Sequence, residues 1–188
     1  MARSVRVLCL SPGIASFGWS VIDYNPASSK TSVVRFGTLV SSKLITSKSG
    51  NEATNKFGKD VIGIELLGAT IIELVTQHSP QYIVTTETSA EVDNAGATVT
   101  AMRLYISVLL KQQFDMALTL IGDRSIQEAL PCGRFNKRFS LSYHLKSMSH
   151  INFKQKRHSE LITDTEARAI IIGISFINTI LPNMRSYR

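Results

Sequence analysis

Residues 5–23 read VRVLCLSPGIASFGWSVID: a strand, a Pro-Gly stop and a second strand running back. Val7 to Leu10 is a short apolar run, and Pro12-Gly13 ends it. Phe17, Trp19 and Val21 then alternate with Gly18, Ser20 and Ile22, mostly the period of two that a sheet strand needs. A hairpin of this kind sets Ser11 at the end of a strand beside a turn. That is a position suited to a metal ligand or a catalytic group, and it is filled by a neutral serine.

The rest of the chain extends this hairpin into an α/β fold. Asn25 to Ser29 is a turn cluster, and Ser32 to Val40 is a third strand, antiparallel to the second. Ser41 to Lys59 is polar and predicts a loop. Val61 to Gln77 changes period: Val61, Ile64, Leu67, Ile71, Leu74 and Val75 recur at helical spacing. Gly63 and Gly68 weaken this helix intrinsically, and close approach to the sheet would explain them. Tyr82 to Thr86 is the next strand, ending at Glu87. Ala95 to Gln113 predicts a second helix, Met116 to Ile121 a fifth strand, and Ser125 to Leu130 a short helical turn. Thr163 to Leu181 is the last helix, with Ala167, Ile170, Ile171, Ile174 and Ile177 on its apolar side and Pro182 as its stop. The order β-β-β-α-β-α-β-α implies a mixed five-stranded sheet flanked by helices, in a single domain over residues 1–188.

Composition narrows the partners. No apolar run approaches the roughly 18 residues of a membrane span. The residues Met1 to Ser4 lead straight into a strand, which predicts no signal peptide. Cys9 and Cys132 make no metal pattern, and Cys9 reads as a small core residue in a cytoplasmic protein. The net charge is +7, which suits a polyanionic partner. The charge is uneven: between Pro131 and Glu160 lie Arg134, Lys137, Arg138, Lys146, Lys154, Lys156 and Arg157, with His144, His150 and His158, and Glu160 is the only acid. A solvated face is the bland reading of that stretch; its length and lack of acids favour phosphate binding.

The element order allows the ends of the first and fourth strands to lie side by side, bringing Ser11 and Glu87 together. The first turn of the last helix can add Asp164 or Glu166. Carboxylates gathered from three segments are how a nuclease holds two Mg²⁺ ions, which prefer hard oxygen ligands and stabilise both oxygens of an in-line phosphoryl transfer. Each acid also has a plain structural reading: Glu87 as a surface strand-end residue, Asp164 as an N-cap, Glu166 as a partner of the helix dipole. Asp23 and Asp60 are further candidate ligands, with solvated turn residues as the favoured reading.

Three motifs resemble those of RuvC-like Holliday-junction resolvases. Leu10-Ser11-Pro12-Gly13 through Gly18-Trp19-Ser20-Val21-Ile22-Asp23 is similar to the family's opening, an apolar strand followed by Asp-Pro-Gly and a second strand. Tyr82 to Glu87 is similar to a strand ending in a metal-binding Glu. Thr163-Asp164-Thr165-Glu166-Ala167 resembles an acidic helix start of the form Asp-x-x-Asp-Ala. Their order and spacing fit nearly the whole chain, and the small size resembles a bacteriophage member. The resemblance implies a ribonuclease H-like fold and a homodimer, with the helix from Ala95 at its interface. It further implies binding of four-way DNA and symmetric nicking that depends on Mg²⁺ or Mn²⁺. Ser11, Glu87, Asp164 and Glu166 would form the catalytic set, the last three as metal ligands. Arg134, Lys137, Arg138, Lys146, Lys154, Lys156, Arg157 and His158 would grip DNA.

Three departures accompany the resemblance. Ser11 stands where the family has its first aspartate, which predicts impaired cleavage and leaves a non-catalytic junction-binding protein as the alternative. The last motif is out of register, so that either Glu166 or Asp164 matches a family acid. Ala90 occupies the place of an aromatic that stacks on junction bases.

Overall fold

A computed structural model describes residues 4–13, 16–40, 59–87, 94–129, 141–146, 148, 150–154 and 162–185. The opening hairpin is β1 (Val5–Ser11) and β2 (Ser16–Asn25), paired antiparallel from Val5 opposite Tyr24 to Ser11 opposite Gly18. Strand β3 (Lys30–Val40) continues the meander, with a bulge at Val34, the extra residue of β3 between the pairs Val21–Arg35 and Ile22–Val33. Helix α1 (Lys59–His78) follows, then β4 (Tyr82–Thr86), α2 (Asn94–Phe114) and β5 (Leu118–Ile121).

Strand β4 pairs parallel with β1, and β5 parallel with β4. The sheet order is β5-β4-β1-β2-β3-β6, which makes six strands rather than five. The additional strand is β6 (Ile151–Phe153), inside the basic stretch and parallel to β3 at the sheet edge. Three residues are too short to carry a readable alternation, and a parallel edge partner has no hairpin turn to announce it.

Strand β1 lies centrally and is buried on both faces, which is why Val7 to Leu10 is apolar without a break. Val7 and Cys9 join one apolar cluster with Ile22, Val84, Ile121, Ile170 and Ile174. Leu8 and Leu10 join the other with Val21, Ile83, Leu67, Ile71, Met102, Ile106 and Leu110. Helices α1 and α2 therefore cover one face. Helix α5 (Asp164–Ser175) covers the other, with the short helices α3 (Asp123–Ala129) and α4 (Leu141–Lys146) packed beside it. Burial lifts the Cys9 thiol pKa to about 12, so Cys9 is an inert core residue.

Two local readings are corrected. A Cβ on Gly68 would stand 2.4 Å from the Tyr105 hydroxyl of α2, so this glycine serves helix–helix contact and not approach to the sheet; Gly63 faces open space. Pro182 does not end the last helix. A π-helical turn at Phe176–Ile180 precedes it, and helix α6 (Leu181–Arg185) runs through it. Proline has no N–H for the carbonyl four residues back, and widening the preceding turn accommodates that loss.

Candidate functional site

The parallel pairing of β1 with β4 ends at Leu10 opposite Thr85. One step further, Ser11 and Thr86 stand side by side, and Glu87 follows. Ser11 shares its face of the sheet with Cys9, and therefore looks toward α5. It is 5% exposed. Its partner across the hairpin is Gly18, where a Cβ would come 2.4 Å from the Thr165 carbonyl oxygen. Glycine at 18 thus lets the first turn of α5 rest directly on the sheet beside Ser11.

That first turn is tied down by hydroxyls. Ser16 Oγ lies 3.2 Å from Thr165 Oγ1, and Thr38 Oγ1 lies 3.3 Å from Thr163 Oγ1. Thr163, not Asp164, is the N-cap. The Glu166 N–H donates to Thr163 Oγ1 at 3.3 Å, and the Thr163 N–H donates to Glu166 Oε2 at 3.0 Å. This reciprocal capping box was legible as Thr163-x-x-Glu166 ahead of an apolar run. The Glu166 side chain, 3% exposed, is therefore engaged by the helix start itself. Asp164 is exposed and turns away from the strands, its Oδ1 accepting from the Ser142 N–H of α4 at 3.3 Å.

Glu87 is exposed, and its N–H donates to the Ile121 carbonyl at 2.7 Å. A Cβ on Gly122 would stand 3.8 Å from Glu87 Oε2, so the carboxylate reaches over the end of β5. A residue that sequence motifs did not single out also belongs here. Arg103 of α2 donates from Nη1 to the Thr86 carbonyl at 3.1 Å, and from Nη2 to Thr100 Oγ1 at 3.2 Å.

Ser11, Glu87 and Glu166 thus come from three segments to one edge of the sheet, with Asp164 nearby on the α4 side. Among the described residues no group of three His, Cys, Asp or Glu side chains could hold a metal ion. A pair of divalent ions does not fit this donor set as it stands: Ser11 offers a neutral hydroxyl, Glu166 caps its own helix and Asp164 faces α4.

The opposite end of the sheet holds a charged cluster. Asp23 lies within β2, not in a solvated turn, and receives Arg6 Nε at 2.7 Å and Arg6 Nη2 at 3.0 Å. Lys154 Nζ stands 3.5 Å from the same carboxylate. Burial would raise the Asp23 pKa, but the hydrogen bonds and charges of Arg6 and Lys154 outweigh it and hold it below the usual range. Of the basic candidates, Lys154 is thus already shared with an acid. Lys146 ends α4, and Arg134, Lys137, Arg138, Lys156, Arg157 and His158 lie outside the described residues, as do Ala90 and Cys132.

No family model matches the chain, and no curated protein is significantly similar in sequence. Solved structures are similar in fold. Thermus thermophilus RuvC in complex with a Holliday-junction substrate superposes with a TM-score of 0.63 at 14% identity, over 91% of this chain and 92% of that one. The yeast mitochondrial Holliday-junction resolvase Ydc2 gives 0.63 at 14% identity, over 97% and 82%. The fowlpox virus Holliday-junction resolvase gives 0.56 at 11% identity, over 94% and 100%. The architecture is therefore the α/β, ribonuclease H-like one. Within that class, the fold is the one seen in RuvC and other Holliday-junction resolvases.

Proposed function

We propose that the chain, as a single nuclease-type domain over residues 1–188, binds four-way DNA junctions on a resolvase scaffold. Its ability to cut them is impaired because Ser11 occupies the place of a metal-binding carboxylate. The observation that carries this reading is the convergence of Ser11, Glu87 and the Thr163–Glu166 helix start at one edge of the sheet. Support comes from fold relatives whose structures contain Holliday-junction DNA, the Thermus RuvC and the fowlpox resolvase. The net charge of +7, concentrated between Arg134 and Arg157, supplies cations for phosphates.

An aspartate at position 11 would add an anionic oxygen ligand on the strand next to that of Glu87, of the kind that Mg²⁺ or Mn²⁺ requires. The bound ions would supply charge stabilisation at the attacking and leaving oxygens of phosphodiester hydrolysis. The chain's own residues contribute position: β1 and β4 align the strand ends, and Gly18 seats α5 against them. A homodimer formed through α2 would present two equivalent sites to a two-fold junction. No helix among the described residues is long and apolar enough to cross a membrane, and we place the activity in the cytoplasm, the host's if the chain is phage-encoded.

The test is junction cleavage by the native chain and by Ser11→Asp, with Mg²⁺ or Mn²⁺. Ser11→Asp is expected to give paired, symmetric nicks at least 100-fold faster than the native chain. Tight junction binding without cleavage by Ser11→Asp assigns the chain to non-catalytic junction binding instead. Equal affinity for four-way and linear DNA overturns both readings.

A further inference from the structure

We infer that Arg103 is a positioning residue for Glu87, acting through the peptide group that joins Thr86 to Glu87; this rests on the site reading above. The two polar atoms of that one peptide are held from opposite sides. Its carbonyl oxygen accepts from Arg103 Nη1 of α2 at 3.1 Å, and its N–H donates to the Ile121 carbonyl of β5 at 2.7 Å. A peptide held at both polar atoms cannot rotate about its flanking bonds without losing one of them. The Glu87 Cα is thereby fixed, and with it the direction in which the side chain leaves the strand.

Among the described residues, nothing on the side chain does this work. Glu87 is exposed, and its carboxylate has no partner among the described residues; Gly122 beside it adds no side chain. Among the described residues, this acid is held through its main chain alone.

Arg103 suits the task. Nη2 is anchored on Thr100 Oγ1, one turn back on α2, which keeps the guanidinium plane from swinging. The planar fork holds its donors in fixed relative directions, as a lysine ammonium does not. The arrangement is not the cheapest for the arginine itself. Its Nε is buried with no hydrogen-bond partner among the described residues, and an unmet buried donor is costly. A half-buried arginine spending a donor on a strand-end carbonyl 17 residues away, with another donor unmet, is placed for what it holds.

The test reads amide hydrogen exchange at Glu87 in the full chain, comparing native, Arg103→Met and Arg103→Lys. Arg103→Met is expected to speed exchange of the Glu87 amide at least 10-fold while amides in β1 and α5 keep their native rates. Arg103→Lys, which retains a cationic donor group without the planar fork, should recover part of the protection. In the Ser11→Asp background, Arg103→Met should lower kcat for junction cleavage about 10-fold with KM for the junction unchanged. Native exchange at Glu87 in Arg103→Met overturns the proposal, and so does exchange that rises equally throughout the sheet, because that marks a general structural role. If the Glu87 amide is deprotected locally but Ser11→Asp does not cut, Arg103 still positions Glu87 and it is the nuclease reading that fails.

Discussion

Single residues decide how the last helix meets the sheet. At Gly18 the missing side chain is a requirement of packing, since even one methyl would strike the Thr165 carbonyl, a backbone atom that cannot step aside. Gly18→Ala should destabilise the fold by about 2 kcal/mol, in the range of overpacked cores, measured as a lowered denaturant midpoint with an unchanged m-value. His78 gives a second prediction. It is buried at the end of α1, and burial together with the positive charges of Arg35 and Arg6 lowers its pKa below 6.5, against a weaker opposing pull from Asp23. The unfolded chain therefore takes up a proton at a higher pH than the folded one. Stability is full above pH 6.5 and falls as pH drops through the folded value. Unfolding titrations between pH 7.5 and 5 should show this slope, and His78→Gln should flatten it.

At the scale of elements, strand β1 was legible because burial on both faces leaves an unbroken apolar run, and the helices at 59–78 and 94–114 were legible by their period. What escaped reading depends on partners distant in sequence. Ile151–Phe153 becomes a strand only because β3 offers an edge. Arg103 carries no motif, since its role is a contact with a main-chain carbonyl. The start of α5 was placed within a residue, yet Thr163 and not Asp164 proved to be the cap.

The same scale governs the basic stretch. Lys154 sits just beyond β6 and leans on Asp23, whereas Lys156 and Arg157 are expected to meet phosphates. Replacing Lys156 or Arg157 by Gln should reduce the slope of log K against log salt by about 1 each. Lys154→Gln should change it less. Equal slopes for all three variants and the native chain would remove this stretch from the DNA interface.

Across the whole molecule, the fold was legible, and the expected homodimer awaits its own test. The alternation of elements follows from changing periods along the chain, but an exposed apolar pair on α2 shows only once that helix is packed. Its inner residues Met102, Ile106 and Leu110 are buried, while Leu104 and Val108, one turn apart on the outer side, remain 64% and 54% exposed. Paired apolar side chains on an outer helix face suit a self-complementary contact. Sedimentation of the native chain should therefore report a dimer, and Leu104→Glu with Val108→Glu a folded monomer. A native monomer at tens of micromolar would free α2 from that role.

The seating of α5 also bears on how such a chain can vary. Gly18 meets Thr165, and Gly173 brings α5 against Cys9, where a Cβ would come 2.3 Å from the sulfur. The two contacts lie eight residues apart on the helix, about 12 Å at 1.5 Å per residue. A rod pinned at two such points can neither slide nor roll. Insertions and deletions between those pins would shift one glycine out of place, so changes of length belong outside residues 165–173. A designer wishing to move the helix would have to replace both glycines and recut β1 and β2 together.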